Sequence, residues 1–417
     1  MTSQEPPTGA ADALSRGPLP PRARPPTFFA ILGDAENPDT HSGQAYFFLR
    51  SARDAGLADA GLNLACQGGF WTVLRAAWSV RRMLAGDRPG GYQYSSEFLE
   101  RLWRPVRARV RGAAVINCFQ LFPPSLVADP SLEKWFFLDL TLKQVFDDYG
   151  LRTRIGRRIA EDALHREREG YRAAAGIMAW SRYAADSFVR DYGLPEDKVH
   201  IVVPGANLDP HAYGGWQSAA AEPSAPADDR PLRLGFIGRE WHRKGLDRLL
   251  RAAATARKAG VDCQVRVIGC PRSEVPAELA EAAGTEWVGF VSKRREPQRF
   301  LELVAGCDAG FLLSRAEAAG LSLREFHALG IPTVGVDVGG IRDMLIPGAS
   351  VCLPGDASDD MIAEAVVRMP RDPEWFAALR TAAWRRRREA LWPSTIEALS
   401  AFWPHCPDAV PNRRMFA

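Results

Sequence analysis

Short apolar runs alternate with longer amphipathic stretches along the chain, beginning near residue 27. Residues 27–33 form an apolar run that ends in glycine, which predicts a buried strand. A loop with Pro38, Ser42 and Gly43 follows, and residues 45–55 predict a helix. A strand, a loop and a helix in this order predict the start of a parallel α/β layer.

The same alternation continues through the first half of the chain. The predicted strands are residues 113–119, 135–138, 177–180 and 199–203, and the predicted helices are residues 157–174 and 184–191. A stretch rich in glycine, alanine, serine and proline, residues 214–229, then interrupts the pattern as a linker does.

Strands and helices resume after this break. The predicted strands are residues 232–237, 264–268, 287–291, 309–313 and 333–336, and the predicted helices are residues 246–258 and 321–329. Gly330 and Pro332 mark the end of the last of these helices.

These elements predict an α/β fold of two Rossmann-like domains with parallel sheets, which face each other across a ligand-binding cleft. The expected division is a flexible tail (1–25), a first domain (26–212), a linker (213–230), a second domain (231–385) and a carboxyl-terminal helix and tail that packs back toward the first domain (386–417).

Composition is that of a globular protein with two domains. The chain has 417 residues, of which 46% are hydrophobic and 25% charged, and its net charge of +3 does not call for nucleic acid as a partner. Its seven cysteines include no CxxC pair, which argues against a zinc ribbon or a thioredoxin-like redox site. With no apolar run near the roughly 20 residues that span a bilayer and no signal-peptide core in the proline-rich amino terminus, we expect a cytoplasmic protein.

The segment of residues 314–332 carries the most informative chemistry. A predicted strand ends there, a loop carries Glu317, and Gly320 permits close backbone approach at the start of a helix, whose free N–H groups and dipole bind phosphate. Glu325 lies eight residues beyond Glu317, about 12 Å along a helix, which is the scale of a nucleotide-sugar diphosphate. One glutamate would meet a sugar and the other a ribose. The alternative is a pair of glutamates on a solvated helix face.

Two further segments follow predicted strands of the second half. Arg239 and Lys244 lie in the loop after the strand 232–237, where two cations neutralise a diphosphate leaving group, unless they are merely exposed basic residues. This loop is not a P-loop, because no GxxxxGK[ST] occurs in the chain. Gly339 and Gly340 follow the strand 333–336 and would let backbone reach a ligand.

Together these segments resemble the retaining glycosyltransferases of family 4, which have the GT-B fold. The resemblance extends over about residues 27–400 and is strongest over 231–345, where glycine-arginine…lysine-glycine, Glu-x7-Glu and the glycine pair occur in the family's order. It implies a retaining hexosyltransferase that moves a sugar from a nucleotide-diphosphate sugar to a glycan, lipid-linked or small-molecule acceptor, in surface polysaccharide or another glycan pathway. The first domain would face the acceptor and the second would bind the donor.

The resemblance also implies roles for individual residues. Glu317 would contact the donor sugar near the reacting carbon, and Glu325 would bind the ribose hydroxyls. The other donor-binding positions are Gly238, Arg239 and Lys244 for the diphosphate, the backbone of Ala319, Gly320 and Leu321 for the phosphates, Phe290 and Val291 for the base, and Ser42 and Gly43 in a small loop near the diphosphate.

The implied donor is a UDP- or GDP-sugar, and we expect neither a cofactor nor a metal. No D-x-D triplet occurs in the chain, which fits a site where protein cations neutralise the leaving group. The acceptor hydroxyl would attack the sugar carbon on the same face of the sugar from which the leaving group departs. Its proton would pass to the leaving phosphate.

Three positions depart from the family's pattern. Ala318 and Ala319 stand where glycine and an aromatic residue are usual, which predicts a wider donor pocket. Asp139 stands where many relatives have a histidine near the sugar, so it either replaces that catalytic histidine or caps the helix that follows. His327 lies inside a predicted helix, and we interpret it as a packing residue.

A basic segment, residues 99–111, carries five arginines among apolar residues. It is either a solvated surface or a peripheral contact with anionic lipid at the inner membrane face, or with a phosphorylated acceptor.

Two other functions remain open at this stage. One is an epimerase-like enzyme of the same fold that modifies a nucleotide sugar, although the loops contain few histidines for acid–base chemistry. The other is a non-catalytic relative that binds a glycan or a nucleotide, which the cationic and glutamate positions argue against.

Overall fold

The computed structural model describes residues 24–151, 155–220, 230–282 and 284–405. The predicted tail therefore lies almost wholly outside the described residues, as do residues 221–229 of the predicted linker and the end of the chain from residue 406.

The first domain is a parallel sheet with helices on both faces. Its six described strands are ordered β3-β1-β5-β6-β7-β8, and all of their pairings are parallel. The strands are β1 (Thr27–Ala30), β3 (Ala60–Gly61), β5 (Ala114–Asn117), β6 (Glu133–Leu138), β7 (Gly176–Ala179) and β8 (Val199–Ile201), and a small antiparallel pair is formed by β2 (Gly33–Asp34) and β4 (Asn63–Leu64). The helices are α1 (Gln44–Asp54), α2 (Gly69–Leu84), α3 (Ser96–Trp103), α4 (Pro124–Val127), α5 (Leu142–Asp148), α6 (Arg157–Ala173) and α7 (Arg182–Arg190).

The second domain repeats this architecture. Its six described strands are ordered β11-β10-β9-β12-β13-β14 and are again parallel. The strands are β9 (Leu232–Ile237), β10 (Cys263–Ile268), β11 (Thr285–Gly289), β12 (Ala309–Leu312), β13 (Thr333–Val336) and β14 (Ser350–Leu353). The helices from the junction of the domains onward are α8 (Pro210–Ala219), α9 (Leu246–Lys258), α10 (Ala277–Ala280), α11 (Pro297–Ala305), α12 (Leu321–Ala328), α13 (Ile341–Met344), α14 (Asp359–Arg371), α15 (Pro373–Arg386) and α16 (Trp392–Ser400).

The apolar runs form the central strands because helices cover both faces of each sheet, which leaves no face for polar alternation. Every residue of β1, β5, β12 and β13 is buried. The expected pair of parallel α/β domains is therefore confirmed.

The first part of the predicted linker is helical. Asp209 accepts hydrogen bonds from the backbone N–H groups of His211 and Ala212 and so caps α8, despite the glycine pair inside that helix. The hydroxyl of Tyr213 donates to the carbonyl of Ala328 at 2.9 Å, so α8 packs on the second domain. A cap and a tertiary contact thus outweigh a composition that favours a loop.

The carboxyl-terminal helix α16 lies on the first domain. The ring of Trp392 stacks on Phe48 with centroids 5.4 Å apart, and its indole N–H donates to Asn207 at 3.0 Å. Further along, Trp403 packs on Trp135 at 4.8 Å. The described carboxyl-terminal segment therefore packs on the first domain, close to Asn207 where the polypeptide first passes to the second domain.

The basic segment 99–111 turns its apolar residues inward. Leu99, Leu102 and Trp103 are buried in the core of the first domain, whereas Arg101 and Arg104 are exposed. These three apolar side chains are therefore not available to a membrane, whereas the arginines of this segment face solvent together with Pro105 and Ala108.

Candidate functional site

A cleft of about 430 Å³ opens between the two domains at the carboxyl ends of their strands. The first domain contributes Gln44, Asp139, Trp180 and Asn207 to its wall. From the second domain the lining includes Gly238, Arg239, Arg243, Lys244, Phe290, Val291, Lys293, Glu317, Ala319, Gly320, Leu321, Ser322 and Glu325.

Glu317 is the centre of a charged cluster at the end of β12. One of its carboxylate oxygens accepts a hydrogen bond from Ser314 at 3.1 Å and lies 3.2 Å from a guanidinium nitrogen of Arg243 and 3.4 Å from the ammonium of Lys244. Only 9% of its side chain is exposed. The positive charges of Arg243 and Lys244 offset the free-energy cost of burying the negative charge of Glu317. These contacts hold Glu317 in one position at the cleft wall.

The loop from Glu317 to α12 depends on glycine geometry. Gly320 has φ +100° at the start of α12, and a Cβ at this position would lie 2.6 Å from a methyl of Leu312. Glycine alone adopts this conformation without strain. The loop therefore brings the first turn of α12, with its free N–H groups, to the cleft.

Ser322 lies in that first turn with a buried hydroxyl. Its side-chain oxygen has no hydrogen-bond partner among the described residues, although the residue is only 6% exposed and lines the cleft. A buried hydroxyl without a partner costs free energy. This cost is removed when a ligand offers an acceptor.

Glu325 lies one turn further along α12 and is paired across the cleft wall. The ammonium of Lys293, in the loop after β11, contacts its carboxylate, and the same ammonium lies 4.9 Å from the centre of the Phe300 ring. Glu325 is nearly inaccessible, with 3% of its side chain exposed. The pair stands at the end of the cleft where Phe290 and Val291 also lie.

Arg239 and Lys244 flank the cleft from the loop between β9 and α9. Arg239 is exposed and Lys244 is half-buried, with its side chain running across Gly238. A Cβ on Gly238 would lie 2.4 Å from the Cδ of Lys244, so the lysine keeps this path only over a glycine. Both cations thus face the space in front of α12.

Asp139 follows β6 and approaches the cleft from the first domain. Burial, reinforced by the nearby charge of Glu317, raises the pKa of Asp139 from 3.8 to about 6. The interpretation of Asp139 as a helix cap is wrong, because Thr141 caps α5 and forms a capping box with Gln144. Asp139 instead lines the cleft.

The other predicted positions lie at different distances from the cleft. Ser42 and Gly43 end a short 3₁₀ turn, and the residue that follows them, Gln44, lines the cleft. His327 is fully buried beneath it and shares its Nε2 between the hydroxyls of Thr333 and Ser350, both at 3.0 Å, as expected of a packing residue.

The glycine pair after β13 supports the Glu317 loop. A Cβ on Gly339 would lie 1.9 Å from the carbonyl oxygen of Glu317, and one on Gly340 would lie 2.2 Å from that of Ala318. The sequence predicts that backbone comes close to a ligand at this glycine pair. In the structure the pair instead comes close to the loop that carries Glu317.

Sequence reasoning missed several residues of the site, among them Gln44, Trp180 and Asn207 of the first-domain wall and four polar residues around the two glutamates. Arg243, Lys293 and Ser322 line the cleft, and Tyr149 of the first domain lies beside it with its ring 5.6 Å from the guanidinium of Arg243. Arg243 stands next to Lys244 in the sequence, which was the available signal. The other three carry no local pattern that indicates a ligand.

Comparison with known proteins agrees with this geometry. The family model for glycosyl transferases group 1 matches residues 219–386, which carry the second domain and most of the cleft wall. The D-inositol 3-phosphate glycosyltransferase 1 of Catenulispora acidiphila is 30% identical over 241 residues, or 55% of this chain and 57% of that protein. The D-inositol 3-phosphate glycosyltransferase of Rhodococcus opacus is 29% identical over 232 residues, or 54% and 51%. The chain thus spans about half the length of the curated relatives it matches.

Solved structures resemble the whole fold. The sucrose-phosphate synthase of Thermosynechococcus elongatus superposes with a TM-score of 0.62 at 16% identity, covering 91% of this chain and 97% of that one. The Anabaena protein HepE, in complex with UDP, superposes with a TM-score of 0.57 at 16% identity, covering 90% and 100%. The fold is GT-B, and the second domain is the part that matches the model of glycosyl transferases group 1.

Proposed function

We propose that this protein is a retaining glycosyltransferase of family 4, which transfers a hexose-type sugar from a nucleotide-diphosphate sugar to a hydroxyl of a glycan, lipid-linked or small-molecule acceptor. The observation that carries the proposal is the convergence, on one cleft wall, of Lys244, Arg239, the first turn of α12 and the compensated carboxylate of Glu317. The family match of the second domain and the UDP and UDP-glucose complexes of HepE support a nucleotide-sugar donor.

The donor's diphosphate would lie in front of α12. Arg239 and Lys244 supply positive charge, the backbone N–H groups near Leu321 supply donors, and the hydroxyl of Ser322 supplies one more. These groups stabilise the negative charge that grows on the departing phosphate as the bond between sugar carbon and phosphate oxygen breaks. Neutralisation by protein cations would make a metal unnecessary.

The nucleoside would lie toward Glu325. Its carboxylate would accept hydrogen bonds from the ribose hydroxyls, with Lys293 holding it in place, and the base would rest against Phe290 and Val291. Glu317 would contact the sugar on the opposite side of the diphosphate. Because both carboxylates are already fixed by cations, binding requires little rearrangement of the wall.

The acceptor hydroxyl would enter from the first domain, past Asp139. Its oxygen forms the new bond to the sugar carbon on the face that the phosphate leaves, and its proton passes to a leaving phosphate oxygen. Because the new bond forms on the same face of the sugar from which the phosphate leaves, the anomeric configuration is retained. The proposed role is in surface polysaccharide or another glycan pathway.

The first test is thermal unfolding of the protein with UDP, GDP, ADP, TDP and their sugars. A nucleotide present at about 100 times its dissociation constant adds about 2.7 kcal/mol of stability, and we expect this for one base. Glu325→Ala removes the effect, whereas Glu302→Ala, at an exposed position on α11, keeps it. A shift with none of the nucleotides would refute the donor site.

Turnover then separates the proposal from its alternatives. With a donor and an acceptor, a new glycoside whose anomeric configuration by NMR equals that of the donor supports retention. An altered nucleotide sugar formed without any acceptor would instead identify an epimerase-like enzyme. Donor binding without turnover in a broad acceptor panel would identify a non-catalytic relative.

A further inference from the structure

Helix α2 of the first domain has two apolar faces. The inner face carries Trp71, whose ring packs on Phe98 at 5.3 Å, and Trp78, whose ring packs on Tyr92 at 5.6 Å. This contact with the core is all that a surface helix of a globular domain requires.

The second apolar face of α2 points to solvent. Five of the seven exposed large apolar side chains among the described residues belong to this one helix: Phe70 (64% exposed), Val73 (66%), Val80 (49%), Met83 (51%) and Leu84 (86%). At 100° per residue these five and the exposed Ala76 and Ala77 occupy one continuous arc of about 140°. We call this arc the outer face of α2.

This continuous arc makes α2 an amphipathic helix whose apolar side is turned to solvent, which is the pattern of helices that lie in an interface. The other two exposed large apolar side chains stand apart from it, since Phe290 lines the donor cleft and Met361 lies alone on α14. The outer face is therefore a local feature of α2.

The surroundings of the outer face are basic. Residues 69–84 contain Arg75, Arg81 and Arg82 and no acidic residue. Arg81 of α2 forms an ion pair with Glu97 of α3 at 2.7 Å. Next to this pair, a hollow on the surface is lined by Arg101, Arg104, Arg107, Glu97 and Glu100. By the same spacing Arg81 borders the outer face, whereas Arg75 and Arg82 lie on the opposite side of α2. At this border Arg81, Arg101, Arg104 and Arg107 stand against Glu97 and Glu100, which leaves an excess of positive charge.

The area of the outer face distinguishes two possible binding partners, a second copy of the chain and a lipid bilayer. A helix of 16 residues is about 24 Å long, and a strip about 10 Å wide along it offers about 240 Å². A stable contact between two copies of the chain needs about 800 Å² from each. An amphipathic helix with basic residues along one border of its apolar strip, in contrast, binds an anionic bilayer through the strip and the charges together.

We propose that α2 docks this protein on an anionic lipid surface, with its outer face in the boundary between headgroups and acyl chains and with Arg81, Arg101, Arg104 and Arg107 against lipid phosphates. None of the described helices is both long and apolar enough to cross a bilayer. The contact is interfacial and reversible, and it depends on ionic strength because charge contributes to it. It leaves the donor cleft of the second domain outside the docking surface.

Vesicle flotation of the full chain tests this proposal. We expect at least about tenfold more protein on phosphatidylcholine vesicles with about 30% phosphatidylglycerol than on phosphatidylcholine alone, and a loss of this binding at high salt. The triple variant Phe70→Ser, Val73→Ser, Leu84→Ser should lose at least about tenfold, because it removes apolar area that enters the bilayer. Met361→Ser removes one exposed apolar side chain elsewhere and should bind like the unmodified protein.

A second variant tests the charges. Arg101→Gln, Arg104→Gln, Arg107→Gln should lower binding to anionic vesicles without changing the weak binding to neutral ones, and Arg158→Gln, Arg172→Gln, Arg272→Gln serves as its matched control at exposed positions. Unchanged thermal unfolding and donor binding show that each variant is folded. No binding to anionic vesicles, or equal binding by the serine variant, would overturn the proposal. So would a dimer in sedimentation velocity that the serine variant dissociates, because α2 would then join two copies.

Discussion

Replacing Asp139 with asparagine removes one charge from the cleft while keeping the size of the side chain. In the folded protein, burial and then the charge of Glu317 raise the pKa of Asp139 from 3.8 to about 6. In the unfolded chain both causes are lost and the carboxyl titrates near its ordinary value. The folded state therefore binds a proton at this position over a range of pH in which the unfolded state does not.

The sign and size of the effect follow from this difference. Stability contributed by the protonated carboxyl is complete below about pH 4 and is lost as the pH rises toward 6. A difference of about 2 pKa units corresponds to about 3 kcal/mol, which is an upper bound because water in the open cleft screens the charge. Asp139→Asn should thus stabilise the protein by up to about 3 kcal/mol at pH 8 and change little at pH 4.

Thermal unfolding of both proteins between pH 4 and pH 8 measures this. For a domain of about 200 residues, 1 kcal/mol moves the midpoint by about 2–4 °C, so the variant should unfold several degrees higher at pH 8. Asp262→Asn, at an exposed position with the same chemical change, is the control and should show no such trend. An equal difference between variant and unmodified protein at both ends of the pH range would refute the ionisation argument.

Three further substitutions test the second domain. Glu317→Gln should lower turnover by at least about 100-fold and leave donor affinity largely unchanged, because Glu317 would act on the reacting carbon of the sugar in the transition state. Equal losses of turnover and of donor affinity would contradict that role. Ser322→Ala should weaken nucleotide diphosphate binding by about tenfold while leaving or raising the unfolding temperature, since it deletes an unpartnered hydroxyl; unchanged affinity in calorimetry would exclude the contact. Gly320→Ala should lower the free energy of unfolding by about 1–3 kcal/mol, as measured by chemical denaturation. Gly68→Ala should lower it less, because Gly68 has a similar positive φ but, among the described residues beyond its chain neighbours, no atom within 4 Å of the added Cβ.

The fold could be predicted from the sequence because its signals are local. The helix at residues 246–258 and the strand at 333–336 have the predicted bounds, since apolar spacing and run length are visible without any tertiary contact. Helix α2 was missed although its apolar residues are as one-sided as those of α1, which was predicted. In α2 that side faces solvent, apart from the core contacts of Trp71 and Trp78.

The sequence predicts the part of the site whose residues lie on one continuous segment directly after a strand. Glu317, Gly320 and Glu325 lie on a single loop and helix, so their spacing already fixes how they stand relative to one another. The contact of Lys293 with Glu325 joins residues 32 positions apart, and nothing in the local sequence indicates it. Such pairings arise only when the sheet brings the loops after β11 and β12 together.

Those pairings also govern what substitutions in the cleft can reveal. Glu317 is balanced by Arg243 and Lys244, and Glu325 by Lys293, so removing either carboxylate leaves cations without their partner in a partly buried wall. Loss of one member of such a pair lowers stability, and lost activity by itself would not distinguish a destabilised protein from a missing contact with substrate. Ser322 differs, because its hydroxyl has no partner among the described residues and its removal cannot break a compensated pair. A drop in donor affinity together with unchanged or higher stability in Ser322→Ala is therefore the combination that only a ligand-binding role produces.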